Sequence, residues 1–378
     1  MLQQKGQNVL LIDRSAAAAS GGSGAAGAFV SPKIGKGSSL QEVTNEAYEF
    51  SKTFYREHFP DHFHQSGVIR IPKDAEDAEK FKIYEASNTS SFQWLNRDAL
   101  QNFGIKEEAE SFLFDEAGVC DAPALCQAIM AEVAFLQFDV ASLRREGELW
   151  TLHTSEDQPE SKEKKSIYAC QETEESVFAD APVLQAKKIV LASGYENRLF
   201  DMRYMGVRGT WGSRGDYFSS LPLKVSMHKK ISVSANIEGV IKIGASHVKS
   251  KTPCHVCDGQ PLKGLEKEAA AMVNTEDFVL KETFCGMRAG SKDYFPLAGK
   301  VIDVSYMLET YPKILRGAKP PLTYLEGLYV CNGVGGRGFV FSPYIADLLA
   351  DMMIDGKSMD KRIDPDRLFL KWCRKLNN

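Results

Sequence analysis

The chain has 378 residues, 43% of them hydrophobic and 25% charged, with a formal net charge of −4. These values describe an ordinary globular protein, built as one large domain or two interleaved ones. They argue against wholesale coating of nucleic acid without excluding a local basic face; no apolar run approaches the roughly 18 residues of a membrane span, and no secretory leader is expected.

Met1 to Gly6 read as the last turn of a helix with a glycine exit, and Val9 to Ile12 as a buried strand ending in Asp13. An acid at the end of the second strand of a dinucleotide-binding unit accepts the ribose hydroxyls of an adenosine. Strands also end in Asp for turn reasons. A complete unit carries another strand and a GxGxxG turn ahead of that helix. Neither is in the sequence, so the expectation is a start clipped by about one strand and its loop, without the main pyrophosphate cradle. Ala16 to Ala28 is all alanine, serine and glycine, which alone describes a flexible linker. Its place after Asp13 favours a backbone that lies against a cofactor, with Ser20 and Ser23 offering hydroxyls.

Leu40 to Phe59 has helical apolar spacing, Gly67 to Pro72 alternates like a strand, and Ala75 to Leu95 reads as helix. Asp121 is the expected cap of a helix over Pro123 to Ala134. Phe135 to Ala192 reads as strands interrupted by a polar stretch, Glu156 to Ser166, most simply a solvated hairpin tip. Ala186 to Gly194 is another buried strand, and its small C-terminal residues place backbone at the crevice where α/β sheets bind ligands. Lys230 to Ser234 and Val240 to Ala245 alternate like an antiparallel layer inserted into the nucleotide-binding unit.

Eight cysteines show no framework spacing, so reduced thiols and a cytoplasmic location are expected. Cys254 and Cys257 form a CxxC without a second ligand pair; a plain loop is expected there, and no metal. Cys285 to Gly299 holds Arg288 between small residues, a good carboxylate anchor because guanidinium grips a carboxylate through two parallel hydrogen bonds. The alternative is an Arg288–Asp293 pair that pins the turn. Leu328 to Cys331 then reads as a buried parallel strand. Four glycines follow at 333, 335, 336 and 338, and a helix with Ser342 as cap and Pro343 as its first residue. Strand, glycine turn and helix N-terminus together aim free N–H groups at a ligand.

These segments, in this order, resemble the D-amino-acid-oxidase-like flavoproteins, and within them the FAD-dependent oxidase domain of the bifunctional tRNA 5-methylaminomethyl-2-thiouridine biosynthesis family. Gly286, Arg288, Asp293, Pro296 and Gly299 match that family's Gly-x-Arg-x-x-x-x-Asp-x-x-Pro-x-x-Gly. Gly335 to Gly338 is similar to its Gly-Ser-Arg-Gly, Ser342-Pro343 to its helix start, and Asp364 to Leu368 to its Asn-Pro-Asn-Arg-Leu. The likeness runs from Val9 to Leu376 and lacks the methyltransferase half and the GxGxxG.

The resemblance implies an α/β fold. A Rossmann-like FAD-binding domain (1–45, 116–200 and 320–378) would interleave with an antiparallel-sheet α+β substrate domain (46–115 and 201–319). It implies FAD contacts at Asp13, Arg14, Ser20, Gly21, Gly24, Ala25, Gly27, Val140, Ala192, Ser193, Gly194, Gly333, Gly335, Gly336, Arg337, Gly338 and Phe339. Arg288 would clamp the substrate carboxylate and Arg337 would assist it or stabilise the reduced flavin. The implied substrate is the anticodon stem-loop of a tRNA whose wobble uridine bears carboxymethylaminomethyl, losing its carboxymethyl group as glyoxylate. Phosphate contacts are expected from Lys361, Arg362, Arg367, Lys371, Arg374 and Lys375, with Lys249 and Lys251. Two alternatives remain: an oxidase of glycine, sarcosine or a D-amino acid, and a clipped chain unable to retain FAD.

Overall fold

A computed structural model describes residues 1–154, 184–196, 198–249 and 260–376. The first part runs β1 (Leu10–Asp13), β2 (Phe29–Val30), α1 (Ser39–His58), β3 (Phe63–His64), β4 (Val68–Arg70), α2 (Ala75–Ala86) and β5 (Gln93–Leu95). Next come α3 (Arg97–Asn102), β6 (Ser111–Phe114), β7 (Gly118–Cys120), α4 (Ala122–Ala131), β8 (Ala134–Gln137), β9 (Ser142–Glu146), β10 (Leu149–His153), β11 (Leu184–Ala186) and β12 (Ile189–Leu191). Then follow β13 (Arg208–Phe218), β14 (Ser226–His228), β15 (Ser232–Val233), β16 (Val240–Gly244), β17 (Val248–Lys249), α5 (Gln260–Met272) and β18 (Val279–Gly290). The chain closes with β19 (Leu297–Ile302), α6 (Val304–Thr310), β20 (Tyr324–Asn332), α7 (Gly338–Asp355) and α8 (Asp366–Leu376).

β1 pairs with β8 in parallel, and β12 with β20 in parallel, with β19 antiparallel on β20's far side. A nine-stranded sheet runs β17-β13-β16-β15-β14-β4-β6-β5, with β18 on the other edge of β13. It is antiparallel except where β14 meets β4. This sheet takes strands from both halves of the chain, which is how one layer comes to face the glycine-rich segments.

Ser38 caps α1 by accepting from the N–H of Gln41, and Val43, Ala47, Tyr48 and Tyr55 then fall on one face. That face packs against Val340, Phe341, Ile345 and Leu349 of α7, each buried side chain stabilising the fold by roughly 1.5–3 kcal/mol. The expected domain boundary at 45/46 therefore lies inside α1, and β19 on the sheet of β20 carries that side of the molecule back before residue 320.

Three local expectations need correction. The helix expected over 75–95 stops at Ala86; Asn88 to Ser91 turn the chain, and Gln93–Leu95 joins β6 as a strand, Trp94 opposite Phe112. Asp121 stands at the start of α4 without a side-chain cap bond and faces Lys242 at 3.7 Å instead. The last long helix begins at Gly338, not at Ser342, so Pro343 sits inside it. Pro343 has no N–H for the carbonyl of Phe339 four residues back. Tyr55 supplies the donor, its hydroxyl reaching that oxygen at 3.0 Å, and Ser51 donates to the next carbonyl, Val340, at 2.7 Å.

Cys285 is disulfide-bonded, against the expectation of reduced thiols throughout, while Cys120, Cys126, Cys331 and Cys373 are free. Cys254, Cys257 and the polar stretch 156–166 lie outside the described residues. Among the described residues no group of three or more His, Cys, Asp or Glu could hold a metal ion, and no helix is long and apolar enough to cross a membrane.

Candidate active site

Four segments close on one another in a ring. The loop after β1 lies flat on β18: a Cβ on Gly22 would come 2.5 Å from the carbonyl oxygen of Met287, and one on Gly286 would come 2.9 Å from Cα of Gly22. Farther along β18, Gly290 bridges to Val334 in the glycine-rich turn. Asn332, at the end of β20, donates from Nδ2 to the carbonyl of Gly194 at 2.8 Å. Arg14 closes the ring with two hydrogen bonds to Glu196 at 2.8 and 2.9 Å.

This brings together Arg14, the loop from Ser20 to Gly27, Ala192 to Gly194, Arg288 and the turn from Gly333 to Gly338. Asp13 stands at the exposed end of β1 with Oδ1 accepting from the N–H of Ser15. Val140 follows β8 on the same side, since the N–H of Phe138 bonds the carbonyl of Asp13. Phe339 is turned towards the α1–α7 core instead.

Within the loop, smallness has two causes. Gly24 and Ala25 are buried against protein: a Cβ on Gly24 would come 2.3 Å from the carbonyl of Ala19. Packing against protein by itself requires small residues at these two positions. Gly21 and Gly194 are different. No atom lies within 4 Å of where their Cβ would stand, and Gly194 has φ +61°, a conformation that favours glycine.

Arg214 holds the loop in place, and sequence reasoning missed it. Its side chain is 1% exposed, donates to Asp216 at 2.7 Å and to the carbonyls of Gly24 and Ala26, and lies 4.0 Å from the ring centre of Phe284. The nearest signal in the sequence is Arg214-Gly215-Asp216, opposite charges two residues apart and so on one face of a strand.

Arg288 projects from β18 over Gly212, where a Cβ would collide with its Nη2 at 2.4 Å. Its Nη1 donates to Nδ1 of His247 at 2.8 Å and to the carbonyl of Ser246 at 3.3 Å. Burial and the guanidinium hold His247 below the ordinary histidine range, so the imidazole stays neutral and accepts. No carboxylate pairs with Arg288 among the described residues. Asp293 is taken by Arg367, whose Nε and Nη2 reach it at 2.9 and 3.0 Å, so the Arg288–Asp293 alternative falls. Arg337 is half-buried and, among the described residues, also lacks a carboxylate partner; desolvation lowers its pKa to about 10. Gly336 lies beside Arg288, its Cβ position 3.8 Å from Cδ.

Of the expected phosphate contacts, Arg367 is committed to Asp293 and Arg362 to Asp360 and Glu46. Lys371 and Lys375 instead join Lys292 and Arg208 in a basic patch, where repulsion lowers the Lys292 pKa, Lys375 contributing most. Arg208 is the register partner of Gly290, two residues along β18 from Arg288, so the patch adjoins the site. Arg374 bonds the carbonyl of Leu370. The side chains of Lys249 and Lys251 lie outside the described residues.

The donor set suits FAD. Asp13 offers a carboxylate for ribose hydroxyls, and Gly21 and Gly194 leave room for a flat or charged group. The N-terminus of α7 carries no side-chain cap and continues directly from a single 3-10 turn, Gly335–Arg337, and its positive end favours an electron-rich edge.

The comparisons with known proteins agree with this reading. Residues 1–352 match the family model described as DAO, FAD dependent oxidoreductase. The tRNA 5-methylaminomethyl-2-thiouridine biosynthesis bifunctional protein MnmC of Methylobacillus flagellatus is 23% identical over 362 residues, covering 93% of this chain and 53% of the relative. The chain thus spans about half the length of the curated relatives it matches. Among solved structures, glycine oxidase from Bacillus cereus superposes with a TM-score of 0.73 at 17% identity, over 94% of this chain and 91% of that one. Iminodiacetate oxidase from Chelativorans sp. BNC1 gives 0.68 at 14%, over 96% and 95%. Fold, site and family model converge: the chain belongs to the FAD-dependent oxidoreductase family, with FAD as its cofactor.

Proposed function

We propose that the protein oxidises the carboxymethylaminomethyl group of a tRNA wobble uridine, cleaving its N–CH2 bond to leave aminomethyl uridine and glyoxylate, in the cytoplasm. The observation that carries this is the guanidinium of Arg288, half-buried beside the glycine turn, with no carboxylate partner and a neutral imidazole as its only side-chain partner among the described residues. A carboxylate arriving there gains charge-assisted hydrogen bonds without displacing another. His247 and Gly212 hold the guanidinium in one orientation, and that orientation places the adjacent CH2 group for reaction. Asp13, Gly21, Gly194 and the α7 N-terminus would hold FAD, which when bound would supply the hydride acceptor for that CH2, the amine proton leaving to solvent. The substrate imine so formed adds water and splits to the amine and glyoxylate.

Support for a tRNA substrate comes from the basic patch of Arg208, Lys292, Lys371 and Lys375 next to the site, and from the names of the curated relatives. A second reading, oxidation of a small N-substituted glycine, is favoured by the fold shared with glycine oxidase and iminodiacetate oxidase. Glyoxylate release from FAD-reconstituted protein separates the two. The first reading expects glyoxylate from tRNA carrying the modification and little from glycine or sarcosine. Release from the free amino acids alone, with modified tRNA inert, refutes it.

A further inference from the structure

The wall beyond Arg337 carries cations that the chemistry above does not use. Arg70 ends β4 and His228 ends β14, and the two are register partners in a parallel pair, so their side chains leave the sheet on one face. His228 is fixed by Ser232, whose Oγ lies 2.8 Å from its Nδ1. Lys33 follows β2, its backbone N–H held by Oδ1 of Asn45 at 2.8 Å. All three side chains are half-buried. Neither Lys33, Arg70 nor Arg337 forms an ion pair among the described residues, and the one carboxylate acting on Arg70 is Asp77.

The group also feels itself. Burial and then Arg337, Arg70 and Lys73 push Lys33 down to about 8. Burial and Arg337 lower Arg70, and burial, Arg70, Arg337, Lys73 and His247 hold His228 well below its ordinary value. Half-buried cations with so little counter-charge, Asp77 alone acting on Arg70, are costly to bury, and a cluster of this kind marks a place that receives an anion.

The geometry points to a second anion subsite, formed by Lys33, Arg70 and Arg337 with His228 beside them, for a phosphate or carboxylate on a substrate whose first carboxylate is held by Arg288. This rests on the role of Arg288 given above. The substrate class is then an N-carboxymethyl amine with a second anionic group: the phosphate of the modified nucleotide, or the second carboxylate of a small iminodicarboxylate.

Equilibrium titration of FAD-loaded protein, without turnover, tests this with two ligand pairs. One is 5-carboxymethylaminomethyluridine against its 5′-monophosphate; the other is N-methylglycine against iminodiacetate. The doubly charged member of one pair should bind about 10- to 100-fold more tightly, and which pair does so identifies the source of the second anion. Arg70→Gln should bring the members of that pair to within about twofold while leaving the singly charged one unchanged. Arg70→Lys should keep most of the preference. A preference for iminodiacetate with no binding of either nucleoside upholds the subsite and counts against the tRNA reading. Nucleoside binding indifferent to the phosphate, with no preference in the other pair, overturns the subsite and leaves the tRNA reading intact. Equal weakening of both members by Arg70→Gln also overturns it.

Discussion

Replacing Tyr55 by Phe removes the side-chain donor that, among the described residues, answers the carbonyl of Phe339 in the first turn of α7. Pro343 offers that oxygen no N–H, and Tyr55 is 2% exposed, so water does not easily take the hydroxyl's place. A buried acceptor left unpaired costs about 1–3 kcal/mol. Pro343→Ala restores the helical N–H, and in that background Tyr55→Phe should cost no more than about 0.5 kcal/mol. The double-mutant cycle therefore predicts a coupling energy of about 1–2 kcal/mol between positions 55 and 343. Urea unfolding of the four proteins, with unchanged m-values, measures it. Strictly additive effects, with coupling below about 0.3 kcal/mol, would mean that the Tyr55 hydroxyl does not compensate for Pro343.

Other consequences are as direct. Arg214→Met leaves Asp216 buried without its partner and should cost about 3–5 kcal/mol in urea unfolding, while adding Asp216→Leu should recover part of that loss; a single-variant cost under about 1 kcal/mol contradicts its assigned place. His228 has a folded-state pKa below its ordinary 6.5, so the unfolded chain binds the proton more readily. Stability should be full above that value and fall as pH drops from 6.5 towards the depressed value, and His228→Asn should flatten this slope, leaving the share that belongs to His247. Lys371→Gln with Lys375→Gln should weaken tRNA binding and reduce the slope of log K against log salt by about 0.7 for each phosphate no longer neutralised; an unchanged slope removes the patch from the RNA surface.

Much of the architecture was legible where local signals agree. Ser38 ahead of a 3.6-residue apolar stripe gives α1, and the apolar run to Cys331 followed by glycines gives β20 and its turn. Arg288 stood out because small residues surround it. What sequence left hidden was set by distant partners. Nothing near Pro343 says that Tyr55, far back in the chain, will satisfy the carbonyl it orphans, so the helix was expected to begin there. Arg214 went unremarked because its two carbonyl partners belong to a loop nearly 190 residues away in sequence. The cation group of Lys33, Arg70 and His228 comes from three separate strand ends, and only the β4–β14 register brings two of them side by side.

The proposed chemistry is tested most directly by steady-state kinetics of Arg288→Lys and Arg288→Ala with FAD bound, using tRNA that carries the carboxymethylaminomethyl group. Loss of the forked hydrogen bonds should lower kcat/KM by roughly 100-fold in both variants, with flavin content and fold preserved, because lysine keeps the charge but not the fork. Normal turnover by either variant would contradict the anchor and the reaction built on it.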